Sequence, residues 1–67
     1  MHFIVQRKSD NKFYGGESTW VPSEHDAELF NTHTAADTFC TLQPDEKFDI
    51  FIRLRTGRIV RSVEKVP

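Results

Sequence analysis

The chain has 67 residues, a net charge of −1 and one cysteine, Cys40. That length allows one small domain, 1–67, with little apolar surface to spare, and a lone cysteine excludes an internal disulfide, which fits a reducing cytoplasm. No apolar run nears the roughly 20 residues of a membrane-spanning helix, and "MHFIVQRKSD" is too short an apolar stretch for a secretory leader, so a soluble, cytoplasmic protein is expected.

The charge is segregated along the chain. In 1–16, Arg7, Lys8 and Lys12 stand against Asp10, giving +2. In 17–49, Glu17, Glu24, Asp26, Glu28, Asp37, Asp45, Glu46 and Asp49 stand against Lys47, giving −7. In 50–67, Arg53, Arg55, Arg58, Arg61 and Lys65 stand against Glu64, giving +4. Such asymmetry bears on partners rather than on fold.

The first predicted element is the β-rich run "HFIVQRK", with Phe3 and Val5 on one face and Ile4 and Gln6 on the other. Asp10-Asn11 suits a tight turn, and "KFY" returns as a second strand. Gly15-Gly16 breaks or bulges it. "STWV" resumes the extended chain until Pro22 stops it. Ser23 then caps a short helical turn, with Asp26 in the position of a capping box. Ala27 and Phe30, three apart, are expected on one side of that turn.

Thr32 or Thr34 caps a second helical segment, where Ala35, Ala36, Phe39, Cys40 and Leu42 follow helical spacing. Asp37 is placed early in it, near the positive helix end, and Pro44 ends it. In "FDIFIRLR", Phe48, Ile50, Ile52 and Leu54 alternate with Asp49, Phe51, Arg53 and Arg55, the period of a half-buried strand. Gly57 in a left-handed conformation closes a three-residue hairpin loop. "RIVRSVEKV" pairs back, with Val60 interrupting the alternation through a bulge or two-sided contact.

The expected fold is therefore α+β: a small antiparallel sheet of about four strands, in the order β-β-α-β-β. One helix packs on one face, and an extra strand or helical turn fits in 18–30. Phe3, Val5, Phe39, Leu42, Phe48, Ile50, Ile52 and Leu54 are the predicted core.

Chemistry finds little support. His2, His25, His33 and Cys40 lack the pair spacings of a zinc site, and closed sites need four ligands. His33 and Asp37 are four apart and suit a surface contact. His33 and Cys40 are about 10 Å apart along a helix, too far for a nucleophile and its base. Gly15-Gly16 lacks the frame of a phosphate loop. No enzyme activity, cofactor or metal is expected.

Binding is the stronger reading. The hairpin 48–64 carries Phe51 with Arg53, Arg55, Arg58 and Arg61, and aromatic residues with arginine are common interface anchors. Tyr14 and Trp20 are further ringed candidates, although Trp20 also suits the core edge. The same hairpin residues suit single-stranded nucleic acid, arginines on phosphates and a ring on a base. The acidic net charge opposes that. Glu24, Asp26 and Glu28 form an alternative contact set. Exposed sheet edges allow a weak dimer as well as a monomer.

"FIVQRKSDNKFYGG", Trp20, "DAELFNT" and "AADTF" together resemble a pattern of small phage and prophage proteins: strand, turn-Lys-aromatic, Trp, Ala-x-x-Phe, Ala-rich helix. The likeness covers residues 3–39 and is structural rather than catalytic. More loosely, the size and build are similar to those of small lytic-phage proteins that bind host machinery, including RNA polymerase, and redirect or inhibit it. This resemblance implies a host-takeover factor acting in the host cytoplasm, with RNA polymerase the first partner to consider. A further alternative it raises is an inhibitor of a host defence nuclease complex, the acidic middle mimicking nucleic acid. It assigns no binding residue by position.

Overall fold

The computed structural model describes residues 2–61. The expected continuation of the last strand through Val63, Glu64 and Lys65 lies outside them. The fold is α+β, built on one antiparallel sheet of five strands rather than four, in the order β3-β2-β1-β4-β5. The strands are β1 (His2–Arg7), β2 (Phe13–Gly16), β3 (Thr19–Val21), β4 (Phe48–Arg53) and β5 (Ile59–Arg61). A short 3₁₀ turn, Glu24–Asp26, and one helix, α1 (His33–Thr41), lie between β3 and β4.

The local signals act as their chemistry requires. Asn11 takes φ 60 in the β1–β2 turn, and Lys12 N donates to Asp10 Oδ1 at 3.2 Å. Ser23 caps the 3₁₀ turn by accepting from His25 N at 3.1 Å. Thr32, not Thr34, caps α1, its hydroxyl accepting from Ala35 N at 3.0 Å. The β4–β5 loop is the expected three-residue one: Leu54 N donates to Arg58 O at 2.8 Å, and Gly57 takes φ 91. Val60 pairs with Ile52 in register, so the alternation is interrupted by contact on both faces and not by a bulge.

β1 is the central strand and is sealed on both sides: Ile4 and Val5 are both fully buried. Val5 faces α1, which packs over β1 and β4. Ile4 faces the other way and forms a core cluster with Phe13 and Ala27, extended by Val21, Phe51 and Ile59. The alternation in β1 suggested a single buried face. The second face is closed by the connection through residues 22–29.

That connection also corrects the placement of Ala27 and Phe30. They do not share one side of a helical turn. The chain leaves the 3₁₀ turn in an extended conformation at Ala27 (φ −71, ψ 147) and Phe30 pairs with Phe3 through two 2.8 Å backbone hydrogen bonds. Glu28 N meanwhile donates to Tyr14 O at 2.7 Å. Residues 27–30 thus slot between β1 and β2. Ala27 packs with Ile4 on one face, while the Phe30 ring joins Tyr14 and Phe39 on the other.

β2 makes room by a register shift between Tyr14 and Gly16. A side chain at Gly15 would meet Val21 Cγ1 at 2.9 Å and so would have to displace Val21.

The helix side holds a contiguous aromatic cluster. Phe39 lies 4.3 Å from Tyr14 and 6.1 Å from Phe48, centroid to centroid. Trp20 stacks nearly parallel to Phe48 at 5.8 Å.

Two predicted core residues are outside. Leu42 is 74% exposed because it is the C-cap of α1, past the last turn that faces the sheet. Leu54 is 37% exposed because β4 ends at Arg53 and Leu54 stands at the mouth of the hairpin loop. Asp37 is the fifth residue of α1 and lies beyond its first turn, so it does not complement the helix end.

Candidate functional site

The hairpin arginines divide into three settings. At the open end, Arg61 is cross-strand to Phe51, with its guanidinium carbon 5.3 Å from the ring centroid. Asp49 pairs with it there, its Oδ1 lying 2.7 Å from Arg61 Nη1 and 3.6 Å from Lys8 Nζ. In the middle, half-buried Arg53 donates from Nη1 to the Glu24 carbonyl at 3.2 Å. At the tip, Arg55 and Arg58 are exposed, and neither has a carboxylate partner among the described residues.

Phe51, Arg53 and Arg61 share one face of the sheet, as strand alternation requires. Arg55 lies beyond the end of β4, in the hairpin loop. Phe51 is half-buried, packed on the Ile4–Phe13–Ala27 cluster with its ring edge-on to Phe13 at 6.3 Å. With Arg61 across it, the ring is not an open platform for a base.

The acidic set does not form one surface either. Glu24 is half-buried, with its carbonyl engaged by Arg53, and Asp26 is exposed beside it. Glu28 has turned toward the β2–β3 turn, its Oε1 2.8 Å from where a Cβ would stand on Gly16. There it borders a cavity of about 460 Å³ with Glu17 and the rings of Tyr14, Phe30 and Phe39. Trp20 and Tyr14, weighed as interface rings, belong to the aromatic cluster, and the Arg7 guanidinium covers Trp20 at 4.3 Å.

One feature escaped sequence reasoning. A groove of about 540 Å³ opens between the hairpin tip and the 22–29 connection. Leu29 and Leu54 line it, together with Arg53, Arg55, His2 and His25. Leu54 reads as core from alternation, and nothing in local spacing brings Leu29 or His25 to the hairpin.

Reactive chemistry finds no assembly. Among the described residues, no group of three His, Cys, Asp or Glu side chains converges to hold a metal. Burial, aided by the charge of Asp37, pushes the Cys40 thiol up to about 11, away from the thiolate that a nucleophile requires. His33 packs edge-on to Phe3 at 5.7 Å. Among the described residues, no helix is long and apolar enough to cross a membrane.

No family model matches this chain, and no curated protein or solved structure matches it.

Proposed function

We propose that this chain is a non-enzymatic binding protein whose contact surface is the β4–β5 hairpin. One observation carries the reading. Arg53, Arg55, Arg58 and Arg61 all fall on this single hairpin, and the structure holds two of them in place, by Glu24 and by Asp49 with Phe51. Held side chains lose less entropy on binding, and exposed Arg55 and Arg58 beside them steer a partner of opposite charge.

The likeness to small phage proteins makes the partner a host protein complex, with RNA polymerase first, and the effect inhibition or redirection of transcription. Single-stranded nucleic acid fits less well, because the Phe51 ring is already covered by Arg61 and packed on Phe13. The acidic-mimic reading is also weaker, because Glu28 lies apart from Glu24 and Asp26, against the β2–β3 turn.

The test is capture of purified bacterial RNA polymerase by the immobilised full chain. Arg55→Glu with Arg58→Glu should abolish capture while circular dichroism stays unchanged. Equal capture by the folded double variant would overturn the hairpin assignment. A labelled oligonucleotide run in parallel at two salt concentrations separates the nucleic-acid reading, which demands a steep salt slope.

A further inference from the structure

Large apolar side chains left in water need an explanation when they adjoin one another. Leu29 is 43% exposed and Leu54 37% exposed, and both line the same groove at the hairpin tip. They come from segments 25 residues apart in sequence, brought together by the 22–29 connection. Ala27 extends the apolar floor inward to the buried cluster. Gly57 lines the tip end, with open space where a side chain would stand.

The polar lining has one sign. Arg53 and Arg55 border the groove with two histidines, and among the described residues no Asp or Glu side chain lines it. The Glu24 carbonyl engages only one nitrogen of Arg53, so the remaining guanidinium donors stay available for a bidentate carboxylate contact.

We infer that this groove binds an acidic peptide segment of a protein partner, in which a leucine-sized apolar side chain is flanked by Asp or Glu. The apolar side chain seats between Leu29 and Leu54, and the flanking carboxylates engage Arg53 and Arg55. The inference rests on the reading of the hairpin as a contact surface and specifies what that surface recognises. Charge complementarity selects an acidic occupant. The leucine walls select a peptide over a phosphate backbone, because they offer an apolar seat and, among the described residues, no Phe, Tyr or Trp ring lines the groove beside the two imidazoles.

The experiment titrates the isotope-labelled full chain with three probes, followed by amide chemical shifts. The probes are a nine-residue peptide of Asp and Glu around one Leu, the same peptide with Ala for Leu, and a short oligothymidylate. The Leu peptide should shift Leu29, Leu54 and Gly57, and the Ala peptide should bind about tenfold more weakly, as expected for losing one buried apolar side chain. Leu29→Ser and Arg55→Ala should each weaken the Leu peptide by about fivefold or more. The peptide pair keeps the test decisive even if a variant fails to fold.

Equal binding of both peptides, or an oligothymidylate that matches the Leu peptide at the same amides, would show a site reading charge alone and overturn the inference. So would groove shifts that grow with protein concentration without any peptide, since a second copy would then be the occupant. A silent Leu peptide alongside Arg55/Arg58-dependent capture of polymerase overturns the groove alone. A bound Leu peptide alongside unaffected capture overturns the hairpin–polymerase reading and leaves the groove standing.

Discussion

Arg53 donates to the backbone carbonyl of Glu24 at 3.2 Å, and this contact ties the hairpin to the segment that covers one face of the sheet. A charge-assisted bond to a half-buried carbonyl is worth more than an exposed one. Arg53→Ala should therefore lower stability by about 1–2 kcal/mol, while Arg55→Ala should stay within about 0.5 kcal/mol. Urea unfolding of the two variants checks the contrast. For the same reason a charge reversal at Arg53 confounds fold with binding, and Arg55 with Arg58 makes the cleaner pair.

The β2–β3 turn is strained. Gly16 pairs with Thr19 across a two-residue loop, and both loop residues take positive φ, Glu17 at 51 and Ser18 at 64. That is type I′ geometry, which favours Asn-Gly, and non-glycine residues there cost about 1 kcal/mol each. Glu17→Asn with Ser18→Gly should raise the urea midpoint, for a gain of about 1 kcal/mol, at unchanged slope. A lowered midpoint would mean that the wild-type turn carries compensating contacts.

Burial on both faces of β1 makes Ile4 costly to truncate. Ile4→Ala should destabilise by about 2–5 kcal/mol, because Ile4 is fully enclosed between β1's neighbours and Ala27. Leu42→Ala, on the exposed cap of α1, should cost less than about 0.5 kcal/mol. Thermal or urea unfolding ranks the two, and a larger loss at Leu42 would contradict the described core.

Acid should remove a small surface contribution at Asp10. The hydrogen bonds from Arg7, at 2.6 and 3.1 Å, hold its carboxyl down at about 2. An unfolded Asp titrates near ~3.9. The folded value being lower, the stabilisation is fully present above the unfolded value and is lost as pH falls through about 2. The stability gap between wild type and Asp10→Asn should therefore be constant above about pH 5 and shrink toward pH 2. A carboxyl carbon titration of Asp10 reads the folded midpoint directly.

Some of this was legible in the sequence because it is local. The alternation of Phe48, Ile50 and Ile52, the left-handed Gly57, the Asn11 turn and the Thr32 cap each depend on a few neighbouring residues. The five-strand sheet and helix grew from such signals. What stayed hidden is non-local. In "SEHDAELF" the helical turn forms only over Glu24–Asp26, and the backbone of Glu28 and Phe30 finds partners on β2 and β1, at Tyr14 and Phe3. That choice buries Ile4, exposes Leu29 and moves Glu28 away from Glu24. The arginines of the candidate site were visible as a run along one hairpin. The groove beside them was not, because it is assembled from residues near 2, 25–29 and 53–57.

The short segment from Ala27 to Phe30 belongs to both layers of packing at once, its alanine under one and its phenyl ring under the other. Neither layer can melt while the other keeps its order. Amide exchange in β1 and in α1 should then proceed at a common opening free energy, with the molecule behaving as one unit rather than as a sheet that sheds its helix first.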